Sequence, residues 1–212
     1  MTTPRFTRTV IVLRHGQSVA NADGVWQGQL DAPLSPVGRA QAEAAAAVLV
    51  AAYDVRRVIA SDLARAADTG AAVAAAAGVP LETDPGLREV DAGQWTGMRT
   101  ADVAAENSGL FDRLRAGEDV RRGGDGETVA DAVARAVPVV RTALAGLDRG
   151  ALVIATHGAT GRGLTEALAG LDPSVHWRAF GRLGNASWAQ LDDDGSGGWW
   201  LVGWDVSVSP SG

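Results

Sequence analysis

Two histidines in this chain stand one residue past an apolar run and directly before a glycine. Arg14 and His15 follow the apolar residues 10–13, and His157 follows a second such run. Short β-branched runs predict buried strands, and ligands of open α/β sheets bind beyond the carboxyl ends of their strands. A single histidine there is typical of a surface or capping position, but two in the same context indicate a site. Asn21 is within reach of the first loop, so we predict a phosphate-binding crevice.

Arg65 is a third candidate, because it follows the predicted strand 57–60 by about one helical turn. Helix N-termini attract anions. A solvated position on the helix is the alternative for Arg65, but Ala64 and Ala66 leave it room to reach inward. Ser61 is expected either to support a catalytic histidine or to cap this helix.

The elements that must position these residues alternate between strand and helix, which predicts an α/β fold. We expect a single three-layer domain over residues 1–212, with a mostly parallel sheet flanked by helices, a lid-like helical insert at about 84–126 and a C-terminal hairpin at about 186–205. Strands are predicted at residues 10–13, 57–60, 151–155, 186–191 and 199–204. Helices are predicted at residues 36–52, 62–77, 102–115 (as one or two), 128–147 and 158–170.

Local signals mark the ends of several of these helices. Ser35 followed by Pro36 indicates an N-cap with proline in the first turn, and Thr128 with Asp131 resembles a capping box. Pro138 is expected to kink the helix that Thr128 begins, or to interrupt it.

Composition limits the possible partners and compartment. The chain has 212 residues, a formal net charge of −6 and no cysteine. The missing cysteines exclude disulfides and thiolate metal sites, and they suit a reducing compartment, so we expect a cytoplasmic protein. The first residues lack a signal-peptide apolar region, and no run of 18 apolar residues occurs, so no membrane partner is expected. The acidic balance argues against nucleic acid as a partner.

Four segments, in order along nearly the whole chain, resemble the motifs of the histidine phosphatase superfamily, also called the phosphoglycerate mutase-like family. They read RHGQSxxN at residues 14–21, SDLxRAxxT at 61–69, LRExxxGxWxG at 87–97 and THG at 156–158. The stretch QGQLDxPLS at residues 27–35 is also similar.

The resemblance implies a nucleophile at His15, which would form a phosphohistidine. Glu89 matches the family's proton donor, and a bound anion should raise the pKa of its carboxyl; a surface loop carboxylate is the alternative. No metal or cofactor is expected, because arginines supply the positive charge. The remaining matched positions would bind the phosphoryl group or line its site: Arg14, Arg65, His157, Asn21, Gln27, Gly28 and Gly158.

Departures from the mutases of the family indicate the type of reaction. Ala92 and Thr100 stand where those mutases carry a tyrosine and a lysine, and Ala159 stands where they carry an asparagine. We therefore predict a phosphomonoester hydrolase acting on a small phosphorylated sugar or glycerate. A phosphoglycerate mutase and a non-catalytic phosphate-binding module remain the alternatives, and the chain could form a homodimer.

Three further residues are predicted to lie outside the chemistry. Arg121 and Arg122 are expected to be a solvated pair, with contact to a distal substrate anion as the alternative. His176 is expected to be structural. Extra residues at positions 123–128, before the long helix, could reshape the lid.

Overall fold

The fold is a three-layer α/β arrangement built on a mixed six-stranded sheet, as a computed structural model describes it for residues 8–172 and 180–208. The strand order is β3-β2-β4-β1-β5-β6. The first four strands in this order run parallel, and β5 and β6 run antiparallel to their neighbours. The strands are β1 Arg8–Arg14, β2 Val55–Ala60, β3 Leu81–Thr83, β4 Gly150–Thr156, β5 Trp188–Asp193 and β6 Trp199–Val206. The predicted fold class is confirmed.

Helices cover both faces of the sheet. Successive strand side chains point to opposite faces, so Ile11 packs in the core under α2 and α3 while Val12 packs in the core under α6 and α7. The helices are α1 Val19–Ala22, α2 Pro36–Ala52, α3 Ala64–Ala77, α4 Thr100–Glu106, α5 Leu110–Arg115, α6 Val129–Ala145 and α7 Gly158–Leu168. No helix within residues 8–172 and 180–208 has the length and apolar character needed to cross a bilayer.

The predicted helix starts are confirmed by their caps. The Ser35 hydroxyl accepts from the Gly38 N–H at 3.0 Å, with Pro36 in the first turn. Thr128 and Asp131 form the capping box of α6. The Asp119 carboxylate also accepts from the first two N–H groups of α6, so this helix starts at a firmly fixed position.

Three of the differences from the predictions have a physical reason. Of the two effects expected of Pro138, the interruption is wrong: α6 continues through it, because both Pro138 and Ala134, whose carbonyl loses its helical donor, are exposed to water. Strand β5 begins at Trp188 instead of residue 186, because Ala186 adopts a left-handed conformation with φ 53°. Strand β3 was not predicted, since three residues are too few to show a period.

Candidate active site

A cavity of about 330 Å³ opens beyond the carboxyl end of β1. Seven of the nine predicted site residues line it: Arg14, His15, Asn21, Gln27, Gly28, Arg65 and Glu89. The other two lie against this lining. The His157 ring packs edge-on against that of His15, with 5.2 Å between centroids, and a Cβ on Gly158 would lie 3.4 Å from Arg14 Nε.

His15 is held as a neutral imidazole with a defined tautomer. Its Nδ1 lies 2.6 Å from the Gly16 carbonyl oxygen. A carbonyl only accepts, so Nδ1 carries the proton and Nε2 carries the lone pair, to which Arg65 Nε donates at 3.3 Å. Burial lowers the pKa of His15 well below its usual range, and His157 and the nearby arginines lower it further. The ring is therefore an uncharged base with its lone pair on Nε2, as a nucleophile requires.

The backbone around His15 is fixed from several sides. The His15 N–H donates to the Thr156 carbonyl at 2.9 Å, which joins the ends of β1 and β4. The His15 carbonyl accepts from Asn185 Nδ2 at 3.1 Å. Asn185 Nδ2 also lies 3.2 Å from Asn21 Oδ1, which leaves the Asn21 amide NH₂ as its donor. Asn185 was not predicted as a site residue, since an asparagine before a strand carries no distinctive signal.

Arg65 reaches inward from the first turn of α3, and the solvated alternative is wrong. Besides His15, its guanidinium donates to the Leu30 carbonyl at 2.7 Å and to the Gly28 carbonyl at 2.9 Å. Burial lowers the pKa of Arg65, with Glu89 opposing. Gly28 has φ 49°, and a Cβ there would lie 2.5 Å from the Ala92 backbone nitrogen. Arg65 therefore fastens the cavity wall as well as facing the cavity.

Buried polar atoms without a protein partner cluster beside His15. Within the described residues, Arg14 Nε and both ring nitrogens of His157 have no hydrogen-bond partner. Burial, followed by Arg65, Arg14 and Arg135, lowers the pKa of His157 well below its usual range, so the ring is neutral. Buried polar groups are normally hydrogen-bonded. A guanidinium and an imidazole placed in this way are suitable donors for the oxygens of a phosphoryl group.

Glu89 lies across the N-terminus of α7. Its Oε2 accepts from the Ala159 N–H at 3.1 Å, and its Oε1 accepts from the N–H groups of Thr160 and Val90, each at 3.0 Å. Burial raises the pKa of Glu89, but these three N–H groups and Arg65 outweigh it and leave the pKa below its usual value. Glu89 is thus a cavity carboxylate, not a surface loop group. The expected rise in its pKa concerns the anion-bound state and stays a prediction.

The segment that carries Glu89 is clamped by two arginines. Arg135 donates to the carbonyls of Gly86, Arg88 and Glu89 and pairs with the Glu127 carboxylate at 2.8 Å. Arg88 forms two hydrogen bonds to Asp62, of 2.6 and 2.7 Å. These contacts connect the turn after β2 and helix α6 to the position of the carboxylate.

Arg121 and Arg122 differ in their environments. The Arg121 side chain is 51% exposed and pairs with Asp131 at 3.0 Å, so the solvated position predicted for it is confirmed. The same prediction is wrong for Arg122, which is only 5% exposed and lines the cavity. The two side chains leave the start of the turn at residues 122–127 in different directions. The sequence cannot reveal this difference, because it shows only two adjacent arginines. His176 lies outside the described residues.

The remaining candidates are also located. Neither role predicted for Ser61 is found: its hydroxyl accepts from the Leu63 N–H at 3.3 Å and makes no hydrogen bond to either site histidine, and the N-cap of α3 is Leu63. Ala92 and Thr100 line the cavity, as do Trp26 and Arg182, which were not predicted. In the part of the chain that the structure describes, no three His, Cys, Asp or Glu side chains are grouped to hold a metal ion.

Comparisons with known proteins find a family and relatives that the chain resembles over most of its length. The family model described as "Histidine phosphatase superfamily (branch 1)" matches residues 10–207. Glucosyl-3-phosphoglycerate phosphatase of Mycolicibacterium vanbaalenii is 40% identical over 87% of this chain and 84% of its own length. The enzyme of the same name from Mycobacterium tuberculosis is 36% identical over 96% of this chain and 97% of its own.

A solved structure shows the same similarity in three dimensions. Mycobacterial glucosyl-3-phosphoglycerate phosphatase in complex with VO3 superposes with a TM-score of 0.84 at 35% identity, over 94% of this chain and all of that one.

Proposed function

The chain belongs to the histidine phosphatase superfamily and is a phosphomonoesterase, and we propose that it hydrolyses glucosyl-3-phosphoglycerate through a phosphohistidine on His15. The single observation that carries the mechanism is the tautomer of His15. Its Nδ1 is committed to the Gly16 carbonyl, and its Nε2 lone pair is next to the Arg65 guanidinium in the cavity. The ring therefore needs no deprotonation before it attacks phosphorus.

In the first step, Nε2 of His15 attacks the phosphorus atom and the bond to the ester oxygen breaks. Negative charge in this transition state is spread over the three equatorial oxygens. Arg14, Arg65 and the N–H of neutral His157 are the donors for these oxygens. Two guanidinium groups and an imidazole N–H are already in position before the reaction. They stabilise the transition state without any rearrangement of the protein.

Glu89 carries the proton in both steps. The dianionic phosphate places negative charge beside the carboxylate, which raises its pKa and lets it take up a proton with the substrate. It then protonates the departing alkoxide oxygen. In the second step the carboxylate accepts a proton from water as the water oxygen attacks phosphorus, and the bond between phosphorus and Nε2 breaks, which releases phosphate.

The identity of the substrate is supported by the relatives and by the cavity wall. The two relatives described above, 40% and 36% identical to this chain, carry the name glucosyl-3-phosphoglycerate phosphatase. The small Ala92 and the uncharged Thr100 line the cavity at positions where the family's mutases are expected to hold a phosphoglycerate carboxylate with a tyrosine and a lysine. These residues suit a phosphatase better than a mutase.

Phosphate release tests this proposal. Purified protein is assayed with glucosyl-3-phosphoglycerate, the two monophosphoglycerates and hexose phosphates, without a bisphosphoglycerate primer. We expect release of phosphate, with the highest kcat/KM for glucosyl-3-phosphoglycerate. Interconversion of the monophosphoglycerates without phosphate release would favour a mutase, and binding of all these esters without turnover would favour a binding module.

We also propose where the enzyme is located, how its chain is organised and how it assembles. We place the enzyme in the cytoplasm, supported by a composition without cysteine. We treat residues 1–212 as one domain with a lid at about 84–126. A homodimer is supported by the edge strand β6, where Trp200 is 61% exposed. Cell fractionation and light scattering of the purified protein test these points.

A further inference from the structure

Arg122 is a buried cation that the proposed chemistry does not use. It is 5% exposed and lines the cavity. Its one side-chain hydrogen bond within the described residues goes from Nη1 to the Val120 carbonyl. Of the other inward arginines outside the phosphate site, Arg135 pairs with Glu127 and Arg162 pairs with Glu166. No carboxylate of the described chain lies within ion-pair distance of Arg122, so its charge is buried at a cost unless an anion meets it.

The turn around Arg122 holds the guanidinium in the cavity wall. The Arg122 N–H donates to the Glu127 carbonyl at 3.0 Å, and its carbonyl accepts from the Gly126 N–H at 2.9 Å. Two acidic groups, Asp119 and Glu89, interact electrostatically with Arg122. The Asp119 carboxylate is already hydrogen-bonded to the first N–H groups of α6. The backbone of Arg122 is therefore fixed, and the Asp119 carboxylate already has its partners at the N-terminus of α6.

Arg122 enters the cavity from the side of Glu89. The turn that carries Arg122 packs on the segment that follows Glu89: a Cβ on Gly93 would lie 2.9 Å from the Arg122 carbonyl oxygen, and a Cβ on Gly123 would lie 2.3 Å from the Ala92 carbonyl oxygen. Glu89, Ala92 and Arg122 line the cavity together. Glu89 protonates the leaving oxygen in the proposed mechanism, so Arg122 lies on the side of the cavity that receives the alcohol part of the ester.

Resting on the proposed function, we propose that Arg122 binds a carboxylate on the alcohol part of the substrate and selects phosphate esters of hydroxy acids. A guanidinium presents a planar fork that matches the two oxygens of a carboxylate. The glycerate carboxylate of a 3-phosphoglycerate ester is such a group.

The test compares two ligands that differ only in this group. 3-Phosphoglycerate has a carboxylate where glycerol 3-phosphate has a hydroxymethyl group. Each is used as a competitive inhibitor of p-nitrophenyl phosphate hydrolysis, so that a Ki is obtained whether or not the ligand itself turns over. The wild type is compared with Arg122→Gln, with Arg122→Lys and with the matched control Arg121→Gln in the adjacent exposed position.

For the wild type we expect 3-phosphoglycerate to bind about ten- to a hundredfold more tightly than glycerol 3-phosphate, in line with a charge-assisted hydrogen bond. Arg122→Gln should reduce this ratio to near one, Arg122→Lys should retain part of it, and Arg121→Gln should keep it. Thermal unfolding checks that each variant is folded. If Arg122→Gln does not fold, the test is made with Arg122→Lys.

Two results would overturn the inference. One is a wild-type ratio near one. The other is a ratio that Arg122→Gln leaves intact, including the case in which both Ki values rise equally, since Arg122 would then serve the phosphate. Failure of the proposed function is a different result, because it is seen in the phosphate-release assay as mutase activity, as binding without turnover or as a higher kcat/KM for another ester.

Discussion

At the scale of single residues, the protonation states of two side chains determine the reaction. His15 is neutral because burial and neighbouring positive groups lower its pKa, so it can attack phosphorus directly. Glu89 is a carboxylate in the free protein because backbone N–H groups stabilise its charge. In the proposed mechanism it becomes an acid when an anion enters beside it. That mechanism couples substrate binding to proton uptake at Glu89.

The role of Glu89 leads to a prediction about leaving groups. A sugar or glycerate alkoxide is strongly basic and needs a proton as it leaves, whereas p-nitrophenolate does not. Glu89→Gln should therefore slow phosphohistidine formation by about 10²- to 10⁴-fold for alkyl esters, and much less for p-nitrophenyl phosphate. Rapid-quench bursts measure this step separately from water attack.

Because the Glu89 carboxylate also caps α7, thermal unfolding of Glu89→Gln serves as the control for structure. Equal burst losses for alkyl and aryl esters would show that Glu89 does not protonate the leaving oxygen.

At the scale of elements, the site depends on close contacts between loops and helix ends. A Cβ on Gly16 would lie 2.2 Å from the Gly38 carbonyl oxygen, and a Cβ on Gly38 would lie 1.9 Å from the Gln17 carbonyl oxygen. The first turn of α2 thus packs directly on the loop that carries His15. Neither glycine lines the cavity, yet both allow the close packing that positions the His15 loop.

Gly38→Ala should therefore reduce both stability and activity. Overpacking of this kind costs roughly 1–3 kcal/mol in unfolding free energy, and the displaced loop should lower kcat. Gly146→Ala is the matched control, because a Cβ there meets only Arg57 Nη1, at 3.6 Å. Urea unfolding and steady-state kinetics measure both effects. A Gly38→Ala variant as stable and active as the control would contradict this packing argument.

The sequence predicts the elements whose signals are local. The apolar runs before His15 and His157 identify the two strand ends, and Ser35 and Thr128 mark two helix starts. Strand β3 was missed because its three residues gain their structure from pairing with β2. The burial of Arg122 could not be predicted either, because it depends on a turn that packs on the Glu89 segment and on no local pattern.

At the scale of the whole molecule, two buried neutral histidines make stability depend on pH. The folded pKa of His15 and of His157 lies well below the value of about 6.5 in an unfolded chain. As the pH falls below about 6.5, the unfolded chain binds protons that the folded protein excludes, so folding stability decreases. Each histidine contributes a slope of up to about 1.4 kcal/mol per pH unit.

Urea unfolding between about pH 5 and 6.5 measures this slope, and the His15→Asn/His157→Asn double variant should lose most of it. Carboxylates with lowered pKa values, such as Glu89, act at lower pH and do not contribute in this window. If the unfolding free energy of the wild type and of the double variant changed equally with pH, the neutral state of His15 and His157 would be contradicted.

Arginines bring positive charge to the cavity of an acidic chain. Arg14, Arg65, Arg122 and Arg182 line the cavity, while the formal net charge of the chain is −6. We therefore expect phosphatase activity to persist after dialysis against EDTA. Loss of activity that a divalent ion restores would show that the arginines are not sufficient.

The central claim is that phosphate passes through His15, and trapping the intermediate tests it most directly. The enzyme is mixed with p-nitrophenyl phosphate, quenched in alkali within the burst, digested and analysed by mass spectrometry. We predict one phosphoryl group on the peptide that contains His15, stable in alkali and lost in acid, and absent from His15→Ala, which should be folded and inactive. A phosphoryl group on another residue, or undiminished phosphate release by His15→Ala, would contradict the account.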